Sequence, residues 1–411
     1  MSLIVQKYGG SSVATLQKIQ FVAEKIKKYF EQGHRLVVVV SAMGKTTDEL
    51  LQKALALHPS PPERELDMLL STGEQVSIAL LAIALDALGI PSVSLTGGQA
   101  GIITTDLHTK AKIIHIDIHR ILKSLGQNKV VIIAGFQGKN LQDDITTLGR
   151  GGSDITACAL AYALRADFCE IFTDVNGVFT ADPRIVHQAR KINQISYDEM
   201  SEMANLGAKV MQLRAVDFAH TYKVKVHVRC TFDNQEGTWI EEVGNMENAQ
   251  VRAVTHSGDV IKVVLQGVPN KPGIAAQIFE VLANLSVSID MIIQSEGRET
   301  VKDVAFVVLK EDENKVKRAI EELRSRIKFQ NAILDYEKSR ISIVGAGIAS
   351  NPQIAYRMFK TLAANNVNID MINTSNLRIS CLIPKGKMEE SVRALHREFI
   401  EKEKIEVETN G

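Results

Sequence analysis

The densest group of charged, hydroxyl and glycine residues lies in the stretch TTLGRGGSDITACALAYAL. Three glycines flank Arg150, and Ser153 and Asp154 then open an apolar helical run. Either Ser153 or Asp154 could act as a helix N-cap. Bare backbone N–H groups beside a guanidinium could instead hold a carboxylate or a phosphate through two hydrogen bonds. Capping needs one residue and not the whole run, so the stretch predicts an anion-binding loop.

A second candidate lies near the start of the chain, in IVQKYGGSSVATLQKI. Here Lys7 precedes Gly9 and Gly10, two serines and a helical pattern. Glycine tolerates positive φ, so the stretch could be a plain strand-to-helix turn. Paired glycines also leave N–H groups bare at a helix N-terminus, and a lysine beside them favours an anion. The stretch alone leaves both interpretations open.

The third candidate is EIFTDVNGVFTADPRIVHQARKI, a strand pattern followed by two turn signals. Asp174 and Asp182 could be turn residues, since aspartate favours turns. Together with Phe179 and Arg184 they could instead surround a nucleotide, with the arginine on phosphate and the ring near the base. Lys209, in NLGAKVMQLRA, is equally ambiguous, because a surface lysine near a helix start is common.

The elements that must position these residues follow an alternating pattern in the first half of the chain. RLVVVVSA and KVVIIAGFQG are short β-branched runs, whereas TLQKIQFVAEKIKKYF and EQVSIALLAIALDALG have helical periodicity. This alternation predicts βαβ units, hence an α/β domain with a mostly parallel sheet covered by helices on both faces. Ligands of such sheets gather at the carboxyl ends of the strands, where the glycine loops lie.

Length and composition limit the classes of protein to consider. The 411 residues predict two to three domains, and 45% hydrophobic with 23% charged residues is ordinary for a globular protein. Lys plus Arg equals Asp plus Glu at 48 each, which argues against a nucleic-acid partner. We expect a cytoplasmic protein with no membrane partner, because no signal-type leader or spanning apolar run is visible. The four cysteines are far apart and predict reduced thiols and no zinc site.

The second half contains an internal repeat. IAAQIFEVLANLSVSIDMI, from Ile274, and IAYRMFKTLAANNVNIDMI, from Ile354, align at an offset of 80 residues with ten of nineteen positions identical. Each copy follows a strand-like run and a proline-bearing loop and precedes further strands, which predicts two small α+β modules. We place the domain boundary in EEVGNMENAQ, giving 1–245 and 246–411. The modules span about 262–338 and 339–411, the second completed by a strand near 250–256.

Four motifs carry a resemblance to a known family. KYGGSSVA, TTLGRGGSDITA, FTDVNGVFTADPR and LGAKV, in this order, resemble the signatures of aspartate kinases within the amino acid kinase family. The repeat resembles their tandem ACT domains. The resemblance implies ATP-dependent phosphorylation of the L-aspartate side chain to 4-phospho-L-aspartate, the first step toward lysine, threonine and methionine. It further implies feedback by lysine and/or threonine, and a homodimer or α₂β₂ assembly through the ACT domains. Met246 could start a separate regulatory subunit, as in some relatives.

The resemblance also assigns roles to individual residues. Lys7 would neutralise the transferring phosphoryl group, and Asp154 would hold that lysine. Mg²⁺ would arrive with ATP, without a protein metal site. The residues implied for ATP are Lys7, Tyr8, Gly9, Gly10, Thr173, Asp174, Phe179, Thr180, Asp182, Arg184, Lys209 and Val210. Those implied for aspartate are Ser41, Thr47, Glu74, Arg150, Gly152 and Ser153. Those implied for effectors are Asn270, Gly273, Ile274, Ala275, Asp290, Gln294, Asn366, Asn368, Ile369 and Ser375.

These residue types suit the reaction. The side-chain carboxylate of aspartate has a pKa of about 3.9, so it is already an ionised nucleophile and needs no general base. Charge neutralisation and in-line positioning remain to be supplied. Glu74 can receive the α-ammonium and Arg150 the α-carboxylate, although Glu74 in STGEQ also fits an ordinary helix start.

Two other functions stay open at this point. One is a kinase for another amino acid such as glutamate, against which the ACT-like repeat argues. The other is a catalytically silent amino-acid sensor, which would have lost the charged site residues that this chain retains. The chain departs from the family pattern at Asn376, where a glutamate is usual, at Gln212-Leu213, where a His-Pro pair is common, and in the loop at 138–147.

Overall fold

The computed structural model describes residues 2–208, 210–243, 250–295, 300–348 and 350–402. The chain forms two compact units. Unit 1 comprises Met1–Val178, Lys191–Asn205 and Lys209–Gly244, and unit 2 comprises Phe179–Arg190, Leu206–Ala208 and Asn245–Gly411. Met246 and the expected boundary at 245/246 lie outside the described residues, so those limits stay a prediction.

Unit 1 alternates strands and helices through most of its length. Its strands are β1 (Leu3–Tyr8), β2 (Arg35–Val40), β3 (Ser92–Leu95), β4 (Ile102–Thr104), β5 (Ile113–Ile116), β6 (Val130–Ala134), β7 (Gln137–Lys139), β8 (Ile145–Thr147), β9 (Phe168–Thr173), β10 (Gln194–Ile195), β11 (Val226–Cys230) and β12 (Thr238–Ile240). Its helices are α1 (Leu16–Glu31), α2 (Thr46–Leu57), α3 (Glu63–Leu70), α4 (Thr72–Ala87), α5 (His119–Gly126), α6 (Gly152–Ala163), α7 (Tyr197–Asn205) and α8 (Leu213–Tyr222).

In the part of unit 1 that the structure describes, the main sheet has eight strands in the order β10-β12-β11-β9-β1-β2-β6-β3. All of its pairs are parallel except β11 with β12. The valine run of β2 is buried throughout, as expected for a strand covered by helices on both faces. β1 lies in the middle of the sheet, so the residues that follow it reach the centre of the carboxyl edge. A smaller sheet has the order β5-β4-β7-β8.

Helices α1 and α4 build the core on one face of the main sheet. α1 buries Ile19, Val22, Ala23 and Ile26, the 3–4 residue spacing of one helix face. α3 and α4 together form Glu63–Ala87, the one stretch among the described residues that is long and apolar enough to cross a membrane. Core helices of globular proteins pass the same test, and side chains of α4 such as Ile78, Leu81 and Leu85 belong to the buried core.

The described residues of unit 2 form two antiparallel sheets of four strands each. Its strands are β13 (Ala253–Ser257), β14 (Val260–Pro269), β15 (Ile289–Gln294), β16 (Val301–Leu309), β17 (Asn331–Asp335), β18 (Lys338–Val344), β19 (Met371–Ser375) and β20 (Arg378–Pro384). Its helices are α9 (Ile274–Asn284), α10 (Glu313–Arg326), α11 (Pro352–Ala364) and α12 (Met388–His396). The first module has the sheet order β15-β16-β14-β17, and the second has β13-β18-β20-β19.

The two modules of unit 2 meet through residues that the repeat duplicates. Met291 and Met371, at equivalent positions, share one buried apolar cluster with Val260, Val307 and Leu382. This cluster draws side chains from both modules, so the repeats pack as a pair.

The duplicated aspartates make ion pairs across the same contact. Asp290 of the first module pairs with Arg340 and, at 3.4 Å, with Arg378 of the second. Asp370 of the second module pairs with Lys262 of the first at 3.0 Å and with Lys338 at 2.6 Å. Burial raises the pKa of Asp370, but hydrogen bonds from Lys338 and Lys262 outweigh it and hold the pKa below its usual value.

Asp290→Ala is expected to lower the free energy of unfolding of unit 2 by about 3 kcal/mol. The reason is that Arg340, only 2% exposed, loses its carboxylate partner while remaining buried. Glu321→Ala, an exposed position on α10, serves as the control and should change stability by less than about 0.5 kcal/mol. Urea unfolding with hydrogen exchange of the β18 amides measures both. Equal stability of the two variants would contradict the buried-pair argument.

A short segment of the first half belongs to unit 2. Ala181 and Val186 are buried in the apolar core of the second module, together with side chains of β18, α11 and α12. The Thr180 hydroxyl lies 2.9 Å from Nε2 of His396, and Arg190 donates to the Ile400 carbonyl at 2.6 Å. The chain therefore leaves unit 1 after Val178 and returns to it at Lys191.

Candidate active site and effector residues

Lys7 lies near the carboxyl end of β1, just before a glycine turn. Because side chains alternate along a strand, Gln6 and Tyr8 face the opposite side of the sheet from Lys7. Tyr8 is fully buried there and stacks on Phe172 with ring centroids 4.7 Å apart. Only the backbone of Tyr8 remains for the ATP contact that the sequence predicts.

The Lys7 ammonium is paired with Asp154. Nζ lies 2.6 Å from Oδ1, and both side chains are largely buried. Asp154 stands in the first turn of α6, which begins at Gly152 with Gly151 as its N-cap and no side-chain cap. The alternative in which Ser153 or Asp154 caps this helix is therefore not the arrangement observed. The Asp154 carboxylate is directed to the lysine instead.

The glycine turn after β1 packs directly against backbone atoms of the turn after β2. A Cβ on Gly9 would stand 3.4 Å from Lys7 Nζ, so this residue borders the ammonium. A Cβ on Gly10 would stand 2.8 Å from the Ala42 carbonyl oxygen and 3.1 Å from that of Gly44. Gly44 in turn donates its N–H to the Gly10 carbonyl at 3.1 Å. The absence of a side chain lets the turn after β1 approach the turn after β2.

Gly10→Ala is expected to reduce kcat/KM for ATP by about tenfold or more, because the methyl group must displace backbone and not a flexible side chain. Gly126→Ala is the matched control. Its Cβ would meet nothing within 4 Å, at a φ that is not positive, so activity and stability should hold or rise slightly. Steady-state kinetics with varied ATP and thermal unfolding of both variants test this. Unchanged ATP kinetics in Gly10→Ala would refute the close approach.

Glu74 is a buried carboxylate with one oxygen unused. It is 3% exposed in the first turn of α4, and Oε1 accepts the Ala42 N–H at 3.1 Å. Oε2 is buried without a hydrogen-bond partner among the described residues. Burial raises the pKa of Glu74 to about 7, partly offset by backbone hydrogen bonds. A cationic group placed at Oε2 would restore a normal carboxylate, which is what the α-ammonium of an amino acid would do.

The other residues predicted for aspartate lie in the turns after β2 and β8 or in the first turn of the helix that follows each. Ser41 and Thr47 are half-buried, and the Ser41 N–H donates to the Tyr8 carbonyl at 3.1 Å. Arg150 is exposed, whereas Gly152 and Ser153 are buried at the start of α6. Ser41 thus joins the turn after β2 to β1, and Gly152 and Ser153 share the first turn of α6 with Asp154.

The residues predicted for ATP fall in both units. Thr173, Asp174 and Val210 belong to unit 1, and Lys209 lies outside the described residues. Phe179, Thr180, Asp182 and Arg184 belong to unit 2. Asp182 accepts two side-chain hydrogen bonds from Arg184, at 3.0 and 2.7 Å, and these lower its pKa.

Thr180 does not fit its predicted role. It is 8% exposed, and its hydroxyl accepts the Arg190 N–H at 2.9 Å besides contacting His396. Its own N–H donates to the Arg190 carbonyl, and its carbonyl accepts from Val254. Every hydrogen-bonding group of Thr180 is thus engaged within unit 2, so we do not retain it as an ATP ligand.

Sequence reasoning missed Asp67, on α3. It is fully buried, and its carboxylate accepts from the Thr109 N–H, the Thr147 hydroxyl and His108. These bonds tie α3 to β8, the strand that leads into the Arg150 loop. The only signal in the sequence is a charged residue on the apolar side of RELDMLL, which periodicity alone would not assign to a site.

The residues predicted for effectors lie in unit 2. Gly273 is the N-cap of α9 with φ +88°, followed by Ile274 and Ala275, and the Asn270 N–H donates to Thr300. In the second module Asn366 is exposed with φ +52°, Asn368 and Ile369 precede β19, and Ser375 ends it. Gln294 ends β15 and is exposed. Asp290 is already paired with two arginines, so an effector ammonium would have to displace one of them.

Matches to known families and to individual relatives identify the family of the chain. Residues 2–230 match the amino acid kinase family, and residues 262–328 and 341–399 each match the ACT domain. An aspartokinase of Geobacillus stearothermophilus is 46% identical over 402 residues, covering 97% of each chain. An aspartate kinase of Stutzerimonas stutzeri is 45% identical over 401 residues, again covering 97% of each chain. The chain belongs to the aspartokinase family.

Solved structures of aspartokinases share the fold. The Synechocystis aspartate kinase is 42% identical with a TM-score of 0.56, covering 97% of this chain and 69% of that one. Aspartokinase III of Escherichia coli, in complex with aspartate and ADP, has a TM-score of 0.81 at 24% identity, covering 96% of this chain and 99% of that one. The family and the fold class predicted from the sequence are confirmed: an amino acid kinase fold followed by two antiparallel ACT modules.

Proposed function

We propose that this member of the aspartokinase family transfers the γ-phosphoryl group of ATP to the side-chain carboxylate of L-aspartate, which forms 4-phospho-L-aspartate. The observation that carries the proposal is the Lys7–Asp154 pair, 2.6 Å apart, at the carboxyl end of the central strand and beside Gly9. A buried ammonium oriented by a carboxylate, next to a glycine that has no side chain to block the approach, is suited to a phosphoryl group that gains charge during transfer.

In the proposed reaction, one carboxylate oxygen of aspartate attacks the γ-phosphorus in line with the oxygen that bridges it to the β-phosphate. The new O–P bond forms as the bridging O–P bond breaks, and ADP leaves with that electron pair. No proton needs to move, because the attacking carboxylate is already ionised at neutral pH. Lys7 neutralises the γ-phosphate oxygens, and Asp154 fixes the ammonium in place.

In the proposal, aspartate is recognised by groups whose charges are opposite to those of its α-ammonium and α-carboxylate. The unused oxygen of Glu74 receives the α-ammonium, and the Arg150 guanidinium receives the α-carboxylate through two parallel hydrogen bonds. Ser41, Thr47, Gly152 and Ser153 complete this part of the proposal. Both ends of the amino acid are then fixed, and the side chain is free to react.

For the nucleotide we propose Lys7, the Tyr8 backbone, Gly9, Gly10, Thr173, Asp174, Phe179, Asp182, Arg184, Lys209 and Val210. Among the described residues no group of three or more His, Cys, Asp or Glu side chains is placed to hold a metal ion. We propose that Mg²⁺ is carried by the ATP phosphates, where it would screen their charge.

Regulation and assembly complete the proposal. The two ACT domains support feedback by lysine and/or threonine, and a solved E. coli aspartokinase III contains both lysine and aspartate. Effector binding would shift the kinase between active and inactive states through its different affinity for each. We further propose a cytoplasmic enzyme, a homodimer or an α₂β₂ assembly through the ACT domains, and domain limits of 1–245 and 246–411.

A coupled assay of ADP release with Mg-ATP and a panel of amino acids tests the proposal, with hydroxylamine trapping to detect an acyl phosphate. Turnover with aspartate, and its reduction by lysine, threonine or both, is the expected result. Turnover with glutamate but not aspartate would replace the substrate. No turnover with any amino acid, together with tight binding of lysine or threonine, would favour the sensor instead.

A further inference from the structure

A buried lysine on α1 organises the segment that follows β11. Lys25 is 7% exposed, and its ammonium donates to the carbonyls of Cys230 at 3.3 Å, Thr231 at 2.8 Å and Asp233 at 3.1 Å. It also lies 4.7 Å from the centre of the Phe172 ring. Burial lowers the pKa of Lys25, so its placement costs free energy that the carbonyl contacts must offset.

The segment that Lys25 holds contacts two loops predicted to bind ATP. The Thr231 hydroxyl lies 2.6 Å from that of Ser12, in the glycine turn after β1. Thr231 also donates from its N–H, at 2.8 Å, and from its hydroxyl, at 3.1 Å, to the Thr173 carbonyl at the end of β9. Two residues further on, Asp233 accepts from the Asn176 side chain at 2.9 Å.

The three strands involved, β11, β9 and β1, are neighbours in the sheet. The turns that follow these strands meet at one edge of the sheet. Thr231, which follows β11, contacts both the turn after β1 and the end of β9. Neither Lys25 nor Thr231 is among the residues that the resemblance implies for ATP or aspartate. The bond from the Thr231 N–H to the Thr173 carbonyl continues the pairing of β11 with β9. The Thr231 hydroxyl adds a contact with both Ser12 and Thr173, which joins the glycine turn to the end of β9.

We propose that Lys25 and Thr231 are positioning residues for the nucleotide: they hold the glycine turn and the end of β9 at the separation that the ATP phosphates require. The inference rests on the proposed ATP site and extends it. Lys25 acts through the three carbonyls and touches no substrate, so its loss should loosen the nucleotide site and leave aspartate recognition, at Glu74 and Arg150, intact.

The test compares Lys25→Met with Lys28→Met in the full chain. Lys28 lies on the same helix and is exposed, so its variant controls for the loss of a lysine from α1. We expect Lys25→Met to raise KM for ATP, and the calorimetric Kd for Mg-ADP, by about tenfold, with KM for aspartate changed less than about twofold. Equal changes in both KM values, or an unchanged Kd for Mg-ADP, would overturn the proposal.

Thr231→Val provides a second variant that keeps the buried charge and the side-chain shape. It should raise KM for ATP by about threefold, and combination with Ser12→Ala should add nothing further, because both remove the same hydroxyl pair. If Lys25→Met does not fold, the Thr231→Val and Ser12→Ala variants test the proposal in its place. Effects of the two substitutions on KM for ATP that add fully in the double variant would contradict the proposal. The Mg-ADP titration separates the positioning role of Lys25 and Thr231 from the proposed reaction. If the unaltered protein does not turn over aspartate but the variants lose affinity for Mg-ADP as expected, the proposed reaction is refuted and the positioning role stands.

Discussion

Lys7→Ala should lower kcat by about a thousandfold while KM for aspartate changes little. Lys7 is paired with Asp154 at 2.6 Å and borders Gly9, where the charge that develops on the transferring phosphoryl group must be balanced. Removing one pre-organised donor of this kind costs about 3–4 kcal/mol of transition-state stabilisation. Steady-state kinetics with each substrate varied in turn measure the two parameters separately.

Asp154 supplies the internal control for this prediction. Asp154→Asn should also lower kcat, because the ammonium loses the carboxylate that orients it. The double variant should be no slower than Lys7→Ala alone, since residues that act as one unit are not additive. A kcat within threefold of the unaltered enzyme for Lys7→Ala would disprove the role of the lysine.

Glu74→Gln has the second large expected effect, and the effect has two opposite parts. KM for aspartate should rise by about 100-fold, because the α-ammonium loses a buried carboxylate partner. At pH 8 the variant should nevertheless be more stable than the unaltered enzyme, by up to about 3 kcal/mol. An amide of the same shape still accepts the Ala42 N–H but never becomes a buried charge.

The sign of the pH dependence follows from the pKa of Glu74, which burial raises from 4.5 to about 7. The folded protein favours the protonated form, so this group contributes stability that is full below about pH 4.5 and is lost as pH rises through 7. Binding of the ammonium needs the ionised form. For the unaltered enzyme, kcat/KM for aspartate should therefore rise from pH 6 to pH 8, and Glu74→Gln should remove this rise.

Thermal unfolding at pH 6 and pH 8, beside kinetics at both pH values, checks the two parts together. Ser77→Ala, a small buried change one turn further along α4, controls for disturbance of the helix. Glu74 would lose its assigned role if aspartate kinetics stayed normal in Glu74→Gln, or if the stability difference had the opposite sign.

The fold was largely predictable because its signals are local. A short run of valines in β2 favours a strand covered on both faces, and the spacing of Ile19, Val22 and Ile26 favours a helix with one buried side. The internal repeat, at an offset of 80 residues, likewise predicted two modules. Motif residues such as Lys7 and Asp154 were found because their order along the chain is that of the family.

Contacts between distant parts of the chain were not predictable in this way. Asp67, Lys25 and Thr231 form hydrogen bonds with residues 42, 206 and 219 positions away. The periodicity of a sequence does not predict such distant partners. Thr180 was assigned to ATP because its turn motif is typical of the kinase. The sequence could not show that the same turn is buried in unit 2, where packing uses every polar group of the residue.

The segment Phe179–Arg190 has a consequence for any shorter product of the same gene. A polypeptide translated from Met246 would contain both ACT sequences but neither Ala181 nor Val186, which are each 5% exposed in the core of the second module. Its second module would lack these two core side chains, and His396 would lose the hydroxyl that faces its Nε2 atom. We expect such a fragment to be less stable than the same module in the full chain, and a peptide of residues 179–190 to raise its thermal stability.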